Sequence, residues 1–213
     1  MQITDATTVL FVRHAHTAAI GVELCGRLAG YPLSPLGHSQ SEHLGQALRA
    51  TRLAAIYSSP IERAQATARA IAHHQSCGVD TCAELNEIDF GSWSGQTFVA
   101  LDDDPGWHIF NCARGSAVVP DGEQPAAAQE RIVAATAQLA AMHRGQLIAL
   151  VTHADLIRFA LLHYLSRPLD AYDSLTIDPA SVTVVTLSSH RATILCVNTE
   201  VDALNLPVGN AEP

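Results

Sequence analysis

Two short apolar runs do most to limit how this chain can fold. Residues 7–12 (TTVLFV) and the run GQLIALVTH at 145–153 are apolar and β-branched with no polar alternation. A strand of that kind has both faces covered, as in a parallel sheet packed between helices. The intervening sequence supplies the helices. GHSQSEHLGQALRA carries Leu44 and Leu48 on one face. AAIYSS at 54–59 reads as a short strand. Pro60 suits a first helical position and Ser59 a cap, so 60–74 reads as a helix. Residues 78–83 read as another strand, QPAAAQERIVAATAQLAAMH as a long helix and ADLIRFALLHYL as a further one. ASVTVVTLS and RATILCVNT flank a polar turn and read as an antiparallel hairpin.

This alternation predicts an α/β fold: a three-layer α/β/α, doubly wound, mostly parallel sheet with an antiparallel C-terminal edge hairpin. Residues 1–205 are expected to form one domain. Residues 85–125, rich in Gly, Asp, Pro and Trp, are expected to make a lid excursion with short helices, and 206–213 a flexible tail.

Composition excludes several functions. All 12 basic residues are arginine, so Schiff-base chemistry and a P-loop lysine are ruled out. A formal charge of −9 disfavours nucleic acid as a partner. No apolar run approaches the roughly 20 residues of a bilayer span, and no basic segment precedes the first apolar run, so neither membrane insertion nor a signal peptide is expected. The five scattered cysteines fit reduced thiols in a cytoplasm.

Ligands of such sheets bind at the carboxyl ends of the strands. Three predicted strands end there in polar groups, namely RHAHT, YSSPIER and THAD, which brings two histidines and two arginines to one crevice. With their neighbours these segments resemble the histidine phosphatase superfamily, which contains the cofactor-dependent phosphoglycerate mutases. VRHAHT resembles its signature, PLSPLGHSQSEHLG the segment after it, IYSSPIERAQATA the second arginine motif, LNEIDFGSWSG the acidic motif of the phosphatase branch, and LVTHADLIR the second histidine motif.

The resemblance implies a metal-independent, acid-type phosphomonoesterase acting on a small phosphorylated metabolite, without a cofactor. It implies His14 as nucleophile, Arg13 and Arg63 as a phosphate clamp, His153 as a contact to the phosphate oxygens and Glu87 as proton donor. Glu84 and Asp89 are rivals for that last role, since an extended segment puts Asp89 and Glu87 on one face. Thr17 and Ala154, beside the histidine motifs, and Trp107 and Arg114, in the excursion, are further substrate-binding candidates, with His108 and Phe110 beside them. Arginine forks and an unprotonated imidazole suit phosphoryl transfer on physical grounds too.

The sequence departs from the family pattern at Ala15, His16, Ser94, Gln124 and Asp155. It lacks the long insertions and tryptophan-rich segment of the glycolytic mutases, which favours phosphatase over mutase. Two other readings remain open. HAH (14–16) and HAD (153–155) offer ligands to a metal-dependent hydrolase, and the same fold can serve as a non-catalytic binder of phosphate esters. Assembly as a homodimer and the physiological substrate are left open.

Overall fold

The computed structural model describes residues 6–189 and 191–204; the expected tail lies outside the described residues. In chain order the elements are β1 (Thr7–Arg13), α1 (Pro35–Leu48), β2 (Ala55–Ser58), α2 (Glu62–Ala72), β3 (Val79–Thr81), α3 (Phe98–Leu101), α4 (Pro105–Cys112), α5 (Pro125–Met142), β4 (Leu147–Thr152), α6 (Ala154–Tyr164), β5 (Val182–Leu187) and β6 (Ala192–Thr199). One sheet runs β3-β2-β4-β1-β5-β6. The β1–β4, β2–β4 and β2–β3 pairs are parallel, whereas β1–β5 and β5–β6 are antiparallel. The expected mostly parallel sheet with a C-terminal edge hairpin is therefore present.

The apolar runs owe their lack of alternation to two cores. Val9 and Phe11 of β1, with Ile148 and Leu150 of β4, pack on one side with Ile132 of α5 and Phe159 of α6. Leu10, Val12, Ala149 and Val151 point to the other side, against Leu44 and Leu48 of α1 and Ala68 and Ile71 of α2. Each fully buried aliphatic side chain contributes about 1.5–3 kcal/mol of transfer free energy. A polar residue on either face of β1 or β4 would forfeit it.

Two helix starts differ from the sequence reading. α2 begins at Glu62 after an Ile61 cap with no side-chain cap bond. The Ser59 hydroxyl accepts from the Ile61 N–H and is otherwise committed to His153. α1 starts two residues early, at Pro35, because the Ser34 hydroxyl accepts from the Gly37 N–H. The strand expected at 78–83 shortens to three residues.

Between β3 and α5 the chain forms an irregular wall, with 3-10 turns at Gly91–Trp93 and Arg114–Ser116 around α3 and α4. Its centre is aromatic. Trp107 stacks on Phe110 at 5.3 Å, and Trp93 meets both edge-on. Gly91 lies at φ +51, and a Cβ there would sit 1.9 Å from the Pro120 carbonyl, so this turn needs glycine.

Candidate active site

Parallel register sets the first two functional groups. Arg13 pairs with Thr152, so His14 and His153 both emerge one residue beyond the paired ends of adjacent strands. The His14 N–H donates to the Thr152 carbonyl at 2.9 Å, which ties the two ends together. Their rings lie edge to face, 5.2 Å apart.

Hydrogen bonding assigns the tautomers. His14 Nδ1 is 2.8 Å from the Ala15 carbonyl, which can only accept. Nδ1 therefore carries the proton, and Nε2 presents its lone pair. Arg63 Nε donates to that Nε2 at 3.2 Å, and Arg63 Nη2 faces His153 Nδ1 at 3.4 Å. His153 Nε2 then donates to Ser59 at 2.9 Å. Arg63 is held by the Gly26 carbonyl, which accepts from Nη2 at 2.8 Å. Gly26 needs its φ of +51 to aim that carbonyl, and a Cβ there would crowd Ser94 and Phe90. Thr67 completes the frame, accepting from the Ala15 N–H and donating to the Arg63 carbonyl.

Burial and charge set the protonation states. Both histidines are held well below the usual imidazole range, first by burial and then by the Arg63 guanidinium beside them. The Glu87 carboxyl is pushed up to about 8, chiefly by burial and then by the charge of Asp155. These shifts favour neutral imidazoles and a protonated carboxyl. The 3.6 Å approach of Glu87 to His153 Nδ1 is then a contact between uncharged groups rather than an ion pair.

The Glu87 backbone is clamped from behind. Its carbonyl accepts from Arg27 Nε at 2.7 Å, and Arg27 Nη2 also holds Glu123 at 2.9 Å. Arg131 grips both Glu123 oxygens at 2.7 Å and the Asn86 carbonyl at 2.9 Å. The rival carboxylates are elsewhere. Asp89 turns towards Arg27 and the Gly91 N–H, and exposed Glu84 accepts from the Cys82 thiol.

These groups open onto a cleft of about 360 Å³. Of the residues singled out in the sequence, Arg13, His14, Thr17, Arg63, Glu87, Trp107, Phe110, Arg114, Ala154 and Asp155 line it. His153 is fully buried behind Arg63. His108 is exposed, with its ring on the Asp102 carbonyl, and does not line the cleft. His16 also turns away: its ring bonds Ser34 at 2.8 Å and lines a separate groove beside His43. Asp155 accepts from the Tyr172 hydroxyl and lies 3.5 Å from Arg158. HAH and HAD thus do not converge as a ligand set, and no cluster of three or more metal-binding side chains occurs among the described residues.

As site residues, the sequence reading passed over Ser59, which it took only for a helix cap, Thr67, Arg158 and Tyr172. The first three lie inside the quoted motifs. Tyr172, which lines the cleft from a 3-10 turn after α6, has no motif to mark it.

Three buried guanidinium nitrogens at this site, Arg13 Nε, Arg63 Nη1 and Arg114 Nη1, make no hydrogen bond to protein. Buried donors are rarely left so, and all three arginines line the cleft. No described helix is long and apolar enough to cross a membrane.

Known proteins place this geometry. Over 189 residues the chain is 25% identical to the adenosylcobalamin/alpha-ribazole phosphatase of Escherichia coli, covering 88% of this chain and 93% of that one. It is 28% identical over 201 residues to phosphoserine phosphatase 1 of Hydrogenobacter thermophilus, covering 89% and 91%. The solved structure of Bacillus stearothermophilus YhfR aligns with a TM-score of 0.85 at 26% identity, covering 90% of this chain and 96% of that one. A model of the histidine phosphatase superfamily (branch 1) matches residues 9–200, and with the strand-end histidines and arginines in register the chain belongs to that superfamily.

Proposed function

We propose that this protein is a phosphomonoesterase that hydrolyses a small phosphorylated metabolite through a phosphohistidine intermediate. The observation that carries the reading is the state of His14: a neutral ring whose Nε2 lone pair lies within reach of a buried guanidinium. A nucleophile in that state needs no base. The phosphatase names of the two curated relatives support the same reaction class.

In this reading the phosphoryl group enters between Arg13 and Arg63. Their free N–H groups bind its oxygens and offset the charge that develops on them. Arg63 Nε then exchanges its bond to His14 for one to phosphate. Nε2 attacks phosphorus in line, the P–O ester bond breaks, and Glu87 delivers its proton to the departing oxygen. The resulting carboxylate takes a proton from water, whose oxygen attacks phosphorus and breaks the P–N bond. Inorganic phosphate leaves, and His14 and Glu87 return to their starting states. His153 acts from behind, holding Arg63 through Nδ1 while Ser59 fixes its tautomer. The wall at 85–125 acts as the lid over the leaving group. Every role here has a side chain of this protein, so activity should survive dialysis against a chelator.

The test is chemical trapping. Quenched turnover of a labelled ester should leave acid-labile, base-stable phosphate on His14, and His14→Ala should abolish both label and phosphate release. Normal turnover by that variant sinks the assignment. Activity lost on chelation and restored by a divalent metal returns the metal-dependent reading.

A further inference from the structure

Glu87 lies in no strand or helix; it follows a single 3-10 turn, Ala83–Leu85. Main-chain carbonyls there still need donors, and side chains from distant elements supply them. The Leu85 carbonyl accepts from the Thr152 hydroxyl at 2.7 Å. The Glu84, Asn86 and Glu87 carbonyls accept from Arg131 of α5, and that of Glu87 also from Arg27 in the loop after β1. The Glu87 carboxyl is tied to this backbone, since its Oε1 accepts from the Ile88 N–H at 3.0 Å. Its aim into the cleft therefore depends on where the backbone is held. Both guanidiniums converge on Glu123. Arg131 forks onto its two oxygens, Nε to Oε1 and Nη2 to Oε2, each at 2.7 Å, and Arg27 Nη2 reaches Oε2 at 2.9 Å. Glu123 is fixed in turn. It stands where the wall rejoins α5, its N–H donates to the Asp89 carbonyl at 2.8 Å, and its side chain is largely buried. It does not line the cleft. Two cations gripping neighbouring carbonyls repel each other. A carboxylate between them offsets that repulsion and, by bidentate bonding, fixes the orientation of the forks.

We infer that Glu123 is a positioning residue for the reaction: through Arg27 and Arg131 it places the backbone of Glu87, and with it the point from which the proton reaches the leaving oxygen. The proposal rests on the phosphatase reading above and deepens it. Without the Glu123 charge the two arginines lose their common anchor, and the segment from Glu84 to Glu87 loses the frame that three of its carbonyls share. The phosphate clamp and the nucleophile are held by other bonds, to Gly26 and Thr67, and stay in place.

The experiment compares kcat/KM for glycerol 3-phosphate, whose leaving oxygen needs a proton, with that for p-nitrophenyl phosphate, whose leaving oxygen does not. This ratio reports steps only through the first phosphoryl transfer, so the later action of Glu87 on water does not enter. Glu123→Gln keeps the shape and removes the charge. It should lower kcat/KM for the glycerol ester by about ten- to a hundredfold, the cost of misplacing a catalytic group by up to about 1 Å, and leave the nitrophenyl ester nearly unchanged. Combined with Glu87→Gln it should cost nothing further on the glycerol ester, because a residue that acts through another is silent once that other is gone. Arg27→Gln, at a more exposed position, should give the same selective loss and serves if Glu123→Gln fails to fold. Equal losses with both esters overturn the proposal, as does an undiminished rate with the glycerol ester or a full further loss in the double variant. If wild-type protein releases no phosphate from either ester, the phosphatase reading itself has failed. Turnover with labelled His14 and a selective loss in Glu87→Gln, but none in Glu123→Gln or Arg27→Gln, fails the inference alone.

Discussion

The floor and the wall of the cleft are built on opposite principles. The floor is backbone-determined. His14 and His153 stand at the ends of paired parallel strands, and each framing bond ends on a main-chain group or a short hydroxyl. The wall is determined by side chains. Phe90, Trp93, Trp107 and Phe110 hold one another, and Arg114 is wedged between Phe110 and Tyr172. A floor fixed by strand register can hold attacking and clamping groups to a fraction of an ångström, as phosphoryl transfer requires. A wall fixed by packing can change its residues without disturbing the register. In the reading proposed above, chemistry common to all substrates is assigned to the floor, and discrimination between them to the wall. Glu87 sits on the seam, its backbone clamped by Arg27 and Arg131 and its carboxyl facing the cleft.

The sharpest way to break this division is at Arg63. Arg63→Ala removes the group that touches both histidines, and kcat/KM should fall by on the order of a hundredfold or more for every ester, with the sheet intact by circular dichroism. A loss confined to one substrate would move Arg63 from the common floor to the discriminating wall.

Next comes the seam. Glu87→Gln should slow an alkyl phosphate far more than a nitrophenyl phosphate, whose leaving oxygen needs no proton, and a burst should appear with the latter. The acid form is lost as pH rises through about 8, so wild-type turnover of the alkyl ester should decline there and the variant should lack that limb. Stability follows the same sign. Between the ordinary carboxyl value of 4.5 and about 8 the folded form holds a proton that the unfolded chain has lost, so this group's contribution to stability falls as pH rises. In urea titrations the variant should gain on the wild type across that window. Equal slowing of both esters would shift the acid role to Asp89 or elsewhere.

The smallest effect is the most local. Both tryptophans, Trp93 and Trp107, lie in the wall, so fluorescence reports the wall while far-ultraviolet circular dichroism reports the whole fold. Phe110→Ala should cost about 3–5 kcal/mol and should draw the fluorescence transition to lower urea than the dichroism transition. Transitions that shift together would mean that floor and wall unfold as one unit.

The sequence alone determined the floor. Unbroken apolar runs demand cover on both faces, hence a parallel sheet between helices, and the polar residues after such runs must emerge at its carboxyl edge. Arg13, His14 and His153 were legible for that reason, and Arg63 because it opens the helix that follows the neighbouring strand. Tertiary structure decided the rest. An extended LNEID segment cannot separate Glu87 from Asp89; the Arg27 clamp does, by turning Asp89 out and Glu87 in. Ser59 looked like a helix cap, and besides accepting from the Ile61 N–H it bonds the ring of His153, because β4 delivers that ring to the same place. His16 and Asp155 looked like companions of the two histidines; His16 turns to another groove, whereas Asp155 lines the cleft and is held there by Tyr172. Tyr172 carried no signal at all. Strand and helix periods are local, whereas a side chain's partner on another element depends on how the layers pack, and only the assembled layers bring it within hydrogen-bonding distance.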